Sequence, residues 1–180
     1  MELYELTRPV FFVGFMGAGK TSVSRKLARK FGLAAVDMDT YIERREGRKV
    51  KEIFAQDGEE AFRDIEQAVL VELTNKDPLL VSCGGGVIKR PENREVLKSG
   101  GFVIHLRISA DEARGRIGDL STRPLFNDLD DARALAESRM PLYDEVADVT
   151  IDTAGRGVSA LAYEVRDVLE REGVLCRQQK

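Results

Sequence analysis

Apolar runs alternate with helical patterns along nearly the whole chain. The apolar runs lie at residues 9–15, 33–36, 79–83, 102–106 and 149–152. The helical patterns lie at residues 20–31, 41–45, 50–55, 59–74, 91–98, 132–146 and 158–172. Runs that are apolar on both faces predict buried strands, and strands that alternate with helices are typical of a parallel sheet covered by helices on both faces. The pattern therefore predicts an α/β fold, and we expect a single domain over residues 1–180.

Two segments lack such a pattern. Residues 118–131 are polar and hold the weakest pattern in the chain. The last five residues, 176–180, predict a frayed tail, because chain ends are poorly ordered unless something ties them down.

The charge balance excludes a broad anion-binding surface. Charged residues make up 33% of the 180 residues, but the signs are mixed and the formal net charge is −3. No basic block is long enough to predict a nucleic-acid or membrane patch. Any anion must therefore be bound by a few placed residues, and we expect neither nucleic acid nor a membrane as a partner. We also expect a monomer, since no exposed apolar stripe is evident.

The cysteine and histidine content points away from disulfide and metal-cluster chemistry. The two cysteines, Cys83 and Cys176, are too few for a disulfide framework. We expect Cys83 to be a buried small residue and the single histidine, His105, to be structural. The amino-terminal residues lack a basic start followed by an apolar run, and no apolar run approaches the ~20 residues of a membrane span. These features favour a soluble, cytoplasmic protein.

The first strand ends at a complete phosphate-binding motif. Residues 14–21 read G-F-M-G-A-G-K-T and match G-x-x-x-x-G-K-[ST]. Gly14, Gly17 and Gly19 let the backbone curl until its N–H groups point inward, and the following helix directs its positive end at the same point. Lys20 adds a charge for the β- and γ-phosphates, and the Thr21 hydroxyl can bind magnesium. The alternative is a glycine-rich turn with a surface lysine.

An acidic pair follows the second strand. Asp37 and Asp39 flank Met38, at the strand end where α/β proteins bind ligands. Asp37 is placed to reach magnesium, directly or through water, and Asp39 to accept a proton from a substrate hydroxyl. The alternative is that Asp39 only caps a helix that begins at Tyr41.

A helical arginine and a triple glycine suggest a second anion site. Arg63 and Glu66 are three residues apart in a helical pattern and share a face, so the carboxylate can orient the guanidinium. The alternative is an ordinary ion pair within the helix. Gly84, Gly85 and Gly86 follow the third strand and permit either an unusual turn or the close approach of a ligand.

Three further arginines are candidates for binding anions. Arg123 lies in the polar segment, which is suited either to a lid over phosphates or to a solvated loop. Arg139 lies in a helical pattern and belongs either to this set of anion-binding candidates or to the charged surface. Arg116 completes the set, and the Asp152-Thr153 pair ends the last strand, where a loop can face a nucleotide base.

These features together resemble the shikimate kinase family over essentially the whole chain. The segments that carry the resemblance are G-F-M-G-A-G-K-T, V-D-M-D, I-E-R-R-E-G-R-K-V-K-E-I-F, G-E-E-A-F-R-D-I-E, S-C-G-G-G-V, R-P-L and R-M-P-L-Y. The phosphate motif alone is shared by many nucleotide-binding proteins, whereas the order and spacing of the other segments are far more specific. The resemblance implies a three-layer P-loop kinase fold with a five-stranded parallel sheet in the order 2-3-1-4-5. It also implies a substrate-binding helical region near residues 38–66 and a lid near residues 118–128.

The resemblance further implies ATP-dependent phosphorylation of the 3-hydroxyl of shikimate, a step of aromatic amino-acid synthesis that yields shikimate 3-phosphate and ADP. The residues it implies for the nucleotide are Gly17, Ala18, Gly19, Lys20, Thr21, Ser22, Arg116 and Arg123, with Arg116 against the adenine. Those it implies for shikimate are Asp39, Arg63, Gly84, Gly85, Gly86 and Arg139. One Mg²⁺ ion is implied at Thr21 and Asp37, and the implied catalytic residues are Lys20, Asp39 and Arg123.

Two other kinds of function stay open. One is phosphorylation of another small molecule, gluconate or a nucleoside monophosphate. A nucleotide acceptor needs a second base pocket, which no feature supplies, and the F-R-x-x-E and triple-glycine segments argue against gluconate. The other is a nucleotide switch or an inactive regulatory module, which could dispense with Asp39, Arg63 and Arg139.

Overall fold

A computed structural model describes residues 3–117 and 127–178 of the chain. The strands are β1 (Tyr4–Leu6), β2 (Val10–Val13), β3 (Ala35–Asp37), β4 (Leu80–Ser82), β5 (Phe102–Arg107), β6 (Val149–Asp152) and β7 (Leu175–Arg177). The helices are α1 (Lys20–Phe31), α2 (Met38–Glu46), α3 (Val50–Thr74), α4 (Pro91–Gly100), α5 (Ala110–Arg116), α6 (Leu129–Val146) and α7 (Val158–Arg171). A 3₁₀ turn, Val87–Lys89, precedes α4.

Five strands form one parallel sheet in the order β3-β4-β2-β5-β6. Numbered among themselves along the chain, these strands have the order 2-3-1-4-5, so the predicted topology is confirmed. The central strand β2 is buried along its whole length, as its continuous apolar run predicts. Helix α1 packs against α7, while α4 packs against both α3 and α6. Strands β2, β3 and β4 therefore end at one edge of the sheet, where the phosphate motif, the aspartate pair and the triple glycine follow them.

The two ends of the chain pair with each other outside this sheet. Strands β1 and β7 are antiparallel, with Tyr4 opposite Arg177, and the Gln178 amide donates a 2.9 Å hydrogen bond to the Leu3 carbonyl. The Tyr4 ring also meets Phe31 of α1 edge-on at 5.0 Å between centroids. The predicted frayed tail is therefore wrong for residues 176–178. A three-residue strand has no detectable period, and its partner lies at the opposite end of the chain.

Side-chain caps move two helix starts from their predicted positions. Helix α2 begins at Met38 because the Asp37 side chain accepts a hydrogen bond from the Thr40 amide. Helix α6 begins at Leu129 because Asp128 caps the amides of the next turn. Helix α3 joins the two predicted patterns, 50–55 and 59–74, through a kink at Gly58, whose φ is 87°. Within residues 3–117 and 127–178, no helix is long and apolar enough to span a bilayer.

Candidate active site

The loop between β2 and α1 depends on glycine at several positions. Gly14, Gly17 and Gly19 have φ values of 147°, 80° and 92°, a region that other residues rarely adopt. A Cβ atom at Gly14 would also lie 2.3 Å from the Leu106 carbonyl oxygen. The loop can therefore wrap tightly over the end of β5, with the start of α1 directly behind it.

Lys20 belongs to this loop and not to the surface. Its Nζ donates hydrogen bonds of 2.7 Å to the Gly14 carbonyl and 3.1 Å to the Phe15 carbonyl, and the residue is only 9% exposed. The ammonium group is thus held over the curled backbone, where phosphate oxygens are bound in such loops. The surface-lysine alternative is wrong.

Three side chains from α1, β3 and β4 meet beside the loop. The Thr21 hydroxyl donates a 2.7 Å hydrogen bond to Asp37 Oδ2 and lies 2.9 Å from the Ser82 hydroxyl. Asp37 also caps α2, so the alternative that assigned this cap to Asp39 is wrong. Sequence analysis missed Ser82. The available signal was its position as the last residue of a buried strand, directly before Cys83 and the triple glycine.

Two adjoining cavities open at this edge of the sheet. The first, which we call the phosphate cleft, has a volume of about 240 Å³ and is lined by Met16, Gly17, Gly19, Lys20, Thr21, Ser22, Asp37, Asp39, Ser82, Cys83, Gly84 and Gly85. The second, which we call the arginine pocket, has a volume of about 360 Å³ and is lined by Met16, Asp39, Val50, Phe54, Glu59, Phe62, Arg63, Glu66, Gly84, Gly85, Gly86 and Arg139. Met16, Asp39, Gly84 and Gly85 line both cavities. Asp39 therefore stands at the boundary between a phosphate site and a second binding site.

Arg63 is a buried arginine with two carboxylate partners on its own helix. Its guanidinium donates a 2.7 Å hydrogen bond to Glu66 and one of 3.3 Å to Glu59. Burial raises the pKa of Glu66, and the positive charge of Arg63 opposes this rise. Because both Arg63 and Glu66 are buried, the alternative of an ordinary ion pair on a helix surface is wrong.

Arg139 reaches the same pocket from α6. A Cβ atom at Gly85 would lie 3.6 Å from Arg139 Nη1 and 3.7 Å from the Tyr143 hydroxyl. The alternative of a free surface charge is therefore wrong for Arg139. Tyr143 donates a 2.5 Å hydrogen bond to the Gly85 carbonyl, a contact that sequence analysis missed although it quoted the R-M-P-L-Y segment.

The arginine pocket also has an apolar wall that sequence analysis did not assign. Phe54 and Phe62 face each other across the kink in α3, with ring centroids 4.6 Å apart, and Val50 lies beside them. The signal was present in the quoted K-E-I-F and A-F-R segments. Cys83, as predicted, is a buried small residue, and burial raises the pKa of its thiol, so it is not poised as a nucleophile.

The predicted nucleotide-base side of the site is partly described. Arg116 donates hydrogen bonds to the Thr153 carbonyl and, at 3.2 Å, to the Thr153 hydroxyl. These bonds join the end of α5 to the residue that follows β6. Arg123 and most of the predicted lid, residues 118–126, lie outside the described residues.

A curled P-loop at the end of the central strand of a 2-3-1-4-5 sheet, with its lysine turned inward and a second pocket beside it, defines a P-loop kinase that acts on a small molecule. The sequence profile named "Shikimate kinase" matches residues 16–170 of the chain. The chain belongs to the shikimate kinase family.

Individual relatives agree over nearly their full length. The shikimate kinase of Cupriavidus pinatubonensis is 43% identical over 173 residues, which is 94% of this chain and 90% of the relative. That of Burkholderia lata is 41% identical over 171 residues, which is 93% of each. A solved structure of shikimate kinase from Acinetobacter baumannii, in complex with shikimate, superposes with a TM-score of 0.86 at 37% identity. The match covers 92% of this chain and 94% of that one.

Proposed function

We propose that this chain transfers the γ-phosphoryl group of ATP to the 3-hydroxyl of shikimate, giving shikimate 3-phosphate and ADP for aromatic amino-acid synthesis. The observation that carries the proposal is the position of Asp39, which lines both the phosphate cleft and the arginine pocket. A hydroxyl bound in one cavity and a phosphate bound in the other therefore meet at a carboxylate. Membership of the family and the likeness to a shikimate complex support the choice of acceptor.

On the nucleotide side, the loop supplies most of the contacts. The residues we propose for the phosphates are Gly17, Ala18, Gly19, Lys20, Thr21 and Ser22. Lys20 already lies over the loop, and its charge counts most when negative charge develops on the β–γ bridging oxygen. We assign Arg116 to the adenine side and Arg123 to the phosphates, the latter from the sequence alone.

On the acceptor side, the two arginines of the pocket match the single carboxylate of shikimate. A guanidinium can grip a carboxylate with two parallel hydrogen bonds, and Glu66 and Glu59 fix the orientation of Arg63. Asp39 orients the 3-hydroxyl and accepts its proton. Gly84, Gly85 and Gly86 present backbone without side chains, so the hydroxylated ring of shikimate can lie against them.

The oxygen atoms beside the loop fit one Mg²⁺ ion. Thr21 and Asp37 offer a hydroxyl and a carboxylate 2.7 Å apart, and magnesium in kinases is bound by one or two such groups together with phosphates and water. Among the described residues, no group of three or more His, Cys, Asp or Glu is arranged so that it could hold a metal ion. When bound, the ion would neutralise phosphate charge, while Thr21 and Asp37 hold it in place.

Several broader features are part of the same proposal. We expect one domain with a substrate-binding region at residues 38–66 and a lid at residues 118–128. We also expect a cytoplasmic monomer that binds ATP and shikimate and neither nucleic acid nor membranes. Both cysteines are free thiols, as is usual in a reducing compartment.

A substrate panel tests the proposal directly. The purified chain is incubated with ATP, Mg²⁺ and either shikimate, gluconate or a nucleoside monophosphate, and the products are identified by ³¹P NMR and mass spectrometry. Shikimate should be the phosphorylated compound. Lys20→Ala should lose roughly a hundredfold or more in kcat, while Lys26→Ala, on the same helix, should not. Phosphorylation of gluconate in place of shikimate, or ATP binding without any acceptor, would show that the proposed function is wrong.

A further inference from the structure

Tyr143 is the largest fully buried side chain of the molecule's described part, and its hydroxyl reaches Gly85, which lines the arginine pocket. Its hydroxyl donates a 2.5 Å hydrogen bond to the carbonyl of Gly85, at the centre of the triple glycine. Tyr143 stands four residues after Arg139 on α6, so the two side chains share a face of the helix. The Tyr143 hydroxyl therefore lies where the triple-glycine loop and Arg139 come together.

The electrostatic surroundings keep this phenol in its donor form. Burial raises the pKa of Tyr143 to about 12, and the nearby positive charges of Arg139 and Arg63 oppose the rise only in part. The hydroxyl is therefore protonated throughout the physiological range and can donate to the Gly85 carbonyl at all times. The Arg139 guanidinium lies on the same side of Gly85 as the phenol.

His105 supports Tyr143 from behind. The imidazole is fully buried in β5, and its ring lies 5.1 Å from the Tyr143 ring between centroids. Its Nδ1 is 2.9 Å from Asp144 Oδ1, on the residue next to Tyr143. Its Nε2 has no hydrogen-bond partner among the described residues, although it is buried. The bond to Asp144 ties β5 to α6 beside Tyr143 and offsets part of the desolvation cost of burying a polar ring.

We infer that Tyr143, backed by His105, is a positioning residue that holds the Gly85 carbonyl and the Arg139 guanidinium in the arrangement that binds the acceptor. The inference rests on the proposed function. Glycine has the largest backbone freedom of any residue, and the turn bonds of this loop use the carbonyls of Gly84 and Gly86, so the bond from Tyr143 adds a restraint at Gly85. Without that contact the loop must be ordered when the acceptor binds, and this ordering lowers affinity.

The test compares Tyr143→Phe with Tyr163→Phe, a matched loss of one hydroxyl on the exposed side of α7. Tyr143→Phe keeps the ring and removes only the donor. We expect the KM and the Kd for shikimate to rise roughly tenfold, as when a buried acceptor loses its partner, while the KM for ATP changes less than about twofold. Tyr163→Phe should leave both unchanged. A lower melting temperature of Tyr143→Phe with an unchanged KM for shikimate would mean that Tyr143 only packs, and would overturn the inference.

The single histidine of the chain gives a second measurement that needs no substitution. Saturating shikimate should shift the ring resonances of His105 in a ¹H–¹⁵N NMR spectrum of the wild-type protein. The proposed shikimate site includes Gly85, Gly85 accepts the hydrogen bond from Tyr143, and the Tyr143 ring packs against His105. Unshifted His105 resonances in a shikimate-saturated protein would overturn the inference even if Tyr143→Phe does not fold. Failure of the proposed function looks different, since the wild-type protein would then neither bind nor phosphorylate shikimate.

Discussion

Arg63 and Glu66 form a buried ion pair of 2.7 Å at the wall of the arginine pocket, one turn apart on α3. Glu66 is 1% exposed, and Asp39 lies close enough to raise its pKa further, so the pair holds charges that water does not screen. The arginine is thereby fixed in direction before any ligand arrives. This prior ordering is what makes a guanidinium selective for a carboxylate.

Glu66→Gln should weaken the binding of shikimate and leave the binding of ATP unchanged. The amide keeps the shape of the side chain but removes the charge that orients Arg63, and Glu59 is then the remaining carboxylate partner on α3. We expect the Kd for shikimate to rise by roughly tenfold and the free energy of unfolding to fall by about 1–3 kcal/mol. Calorimetric titration and urea unfolding measure the two effects. Glu60→Gln, an exposed neighbour paired with Arg90, is the control and should show neither. Equal shikimate affinity in both variants would contradict the orienting role.

Gly86→Ala should disturb Arg63 by contact alone. A Cβ atom at Gly86 would lie 2.5 Å from Arg63 Nη2 and 2.8 Å from Cζ, closer than atoms can approach. The backbone itself tolerates alanine, since Gly86 has φ −98° and ψ 5°. The guanidinium must therefore move, and we expect the Kd for shikimate to rise about ten- to a hundredfold, as when a charged hydrogen bond is lost.

The control for Gly86→Ala is Gly157→Ala. Gly157 has φ −78°, and a Cβ atom there would meet nothing within 4 Å. That substitution should leave both ligands bound normally. If Gly86→Ala binds shikimate as the wild type does, the Arg63 guanidinium is not needed in its present place.

The Gly86–Arg63 contact is an example of a feature that the sequence alone does not predict. The P-loop and the order of strands were predictable because each depends on a local motif or period. For the triple glycine the sequence predicts either an unusual turn or the close approach of a ligand, and the group that approaches Gly86 in the structure is an arginine from a distant helix. The bond from Tyr143 to Gly85 depends in the same way on how α6 packs against the 3₁₀ turn Val87–Lys89, which no local pattern records. The β1–β7 pairing could not be predicted for the same reason, since its two strands lie at opposite ends of the chain.

Asparagine at Asp37 and at Asp39 should give two different defects. Asn is as good a helix cap as Asp, so Asp37→Asn keeps α2 while it weakens the charge beside Thr21. We expect Asp37→Asn to need a higher Mg²⁺ concentration for half-maximal activity. Asp39→Asn should instead lose roughly 10²–10⁴-fold in kcat, the usual worth of a general base, with ATP binding nearly intact.

Magnesium titrations of activity and calorimetry with ATP alone separate these two defects. The same magnesium shift in both variants, with no separate loss of transfer in Asp39→Asn, would contradict the division of roles between the two aspartates.

His105 should make the stability of the protein fall with acid. Burial lowers the pKa of His105, and Asp144 opposes the shift only in part. Among the described residues, the other charged or titratable groups near the ring are Tyr143 on α6, Arg107 on β5, Asp152 on β6 and Lys20 on α1. Because the folded pKa lies below the ordinary value of 6.5, the unfolded chain takes up a proton first as the pH falls. The contribution of neutral His105 to the free energy of unfolding is therefore fully present above pH 6.5. It is lost as the pH falls from 6.5 to the pKa of His105 in the folded protein.

His105→Phe removes this titration and keeps an aromatic ring against Tyr143. Its free energy of unfolding, measured in urea at a series of pH values from 7.5 to about 5, should fall less steeply than that of the wild type. Asp144→Asn should make the free energy of unfolding fall more steeply. It removes the group that raises the pKa of His105, so the folded pKa drops further and the pH range over which stability is lost becomes wider. Since His105 is the single histidine, no other imidazole contributes to the difference. Parallel pH profiles for the wild type and His105→Phe would show that the ring is protonated equally in the folded and unfolded states.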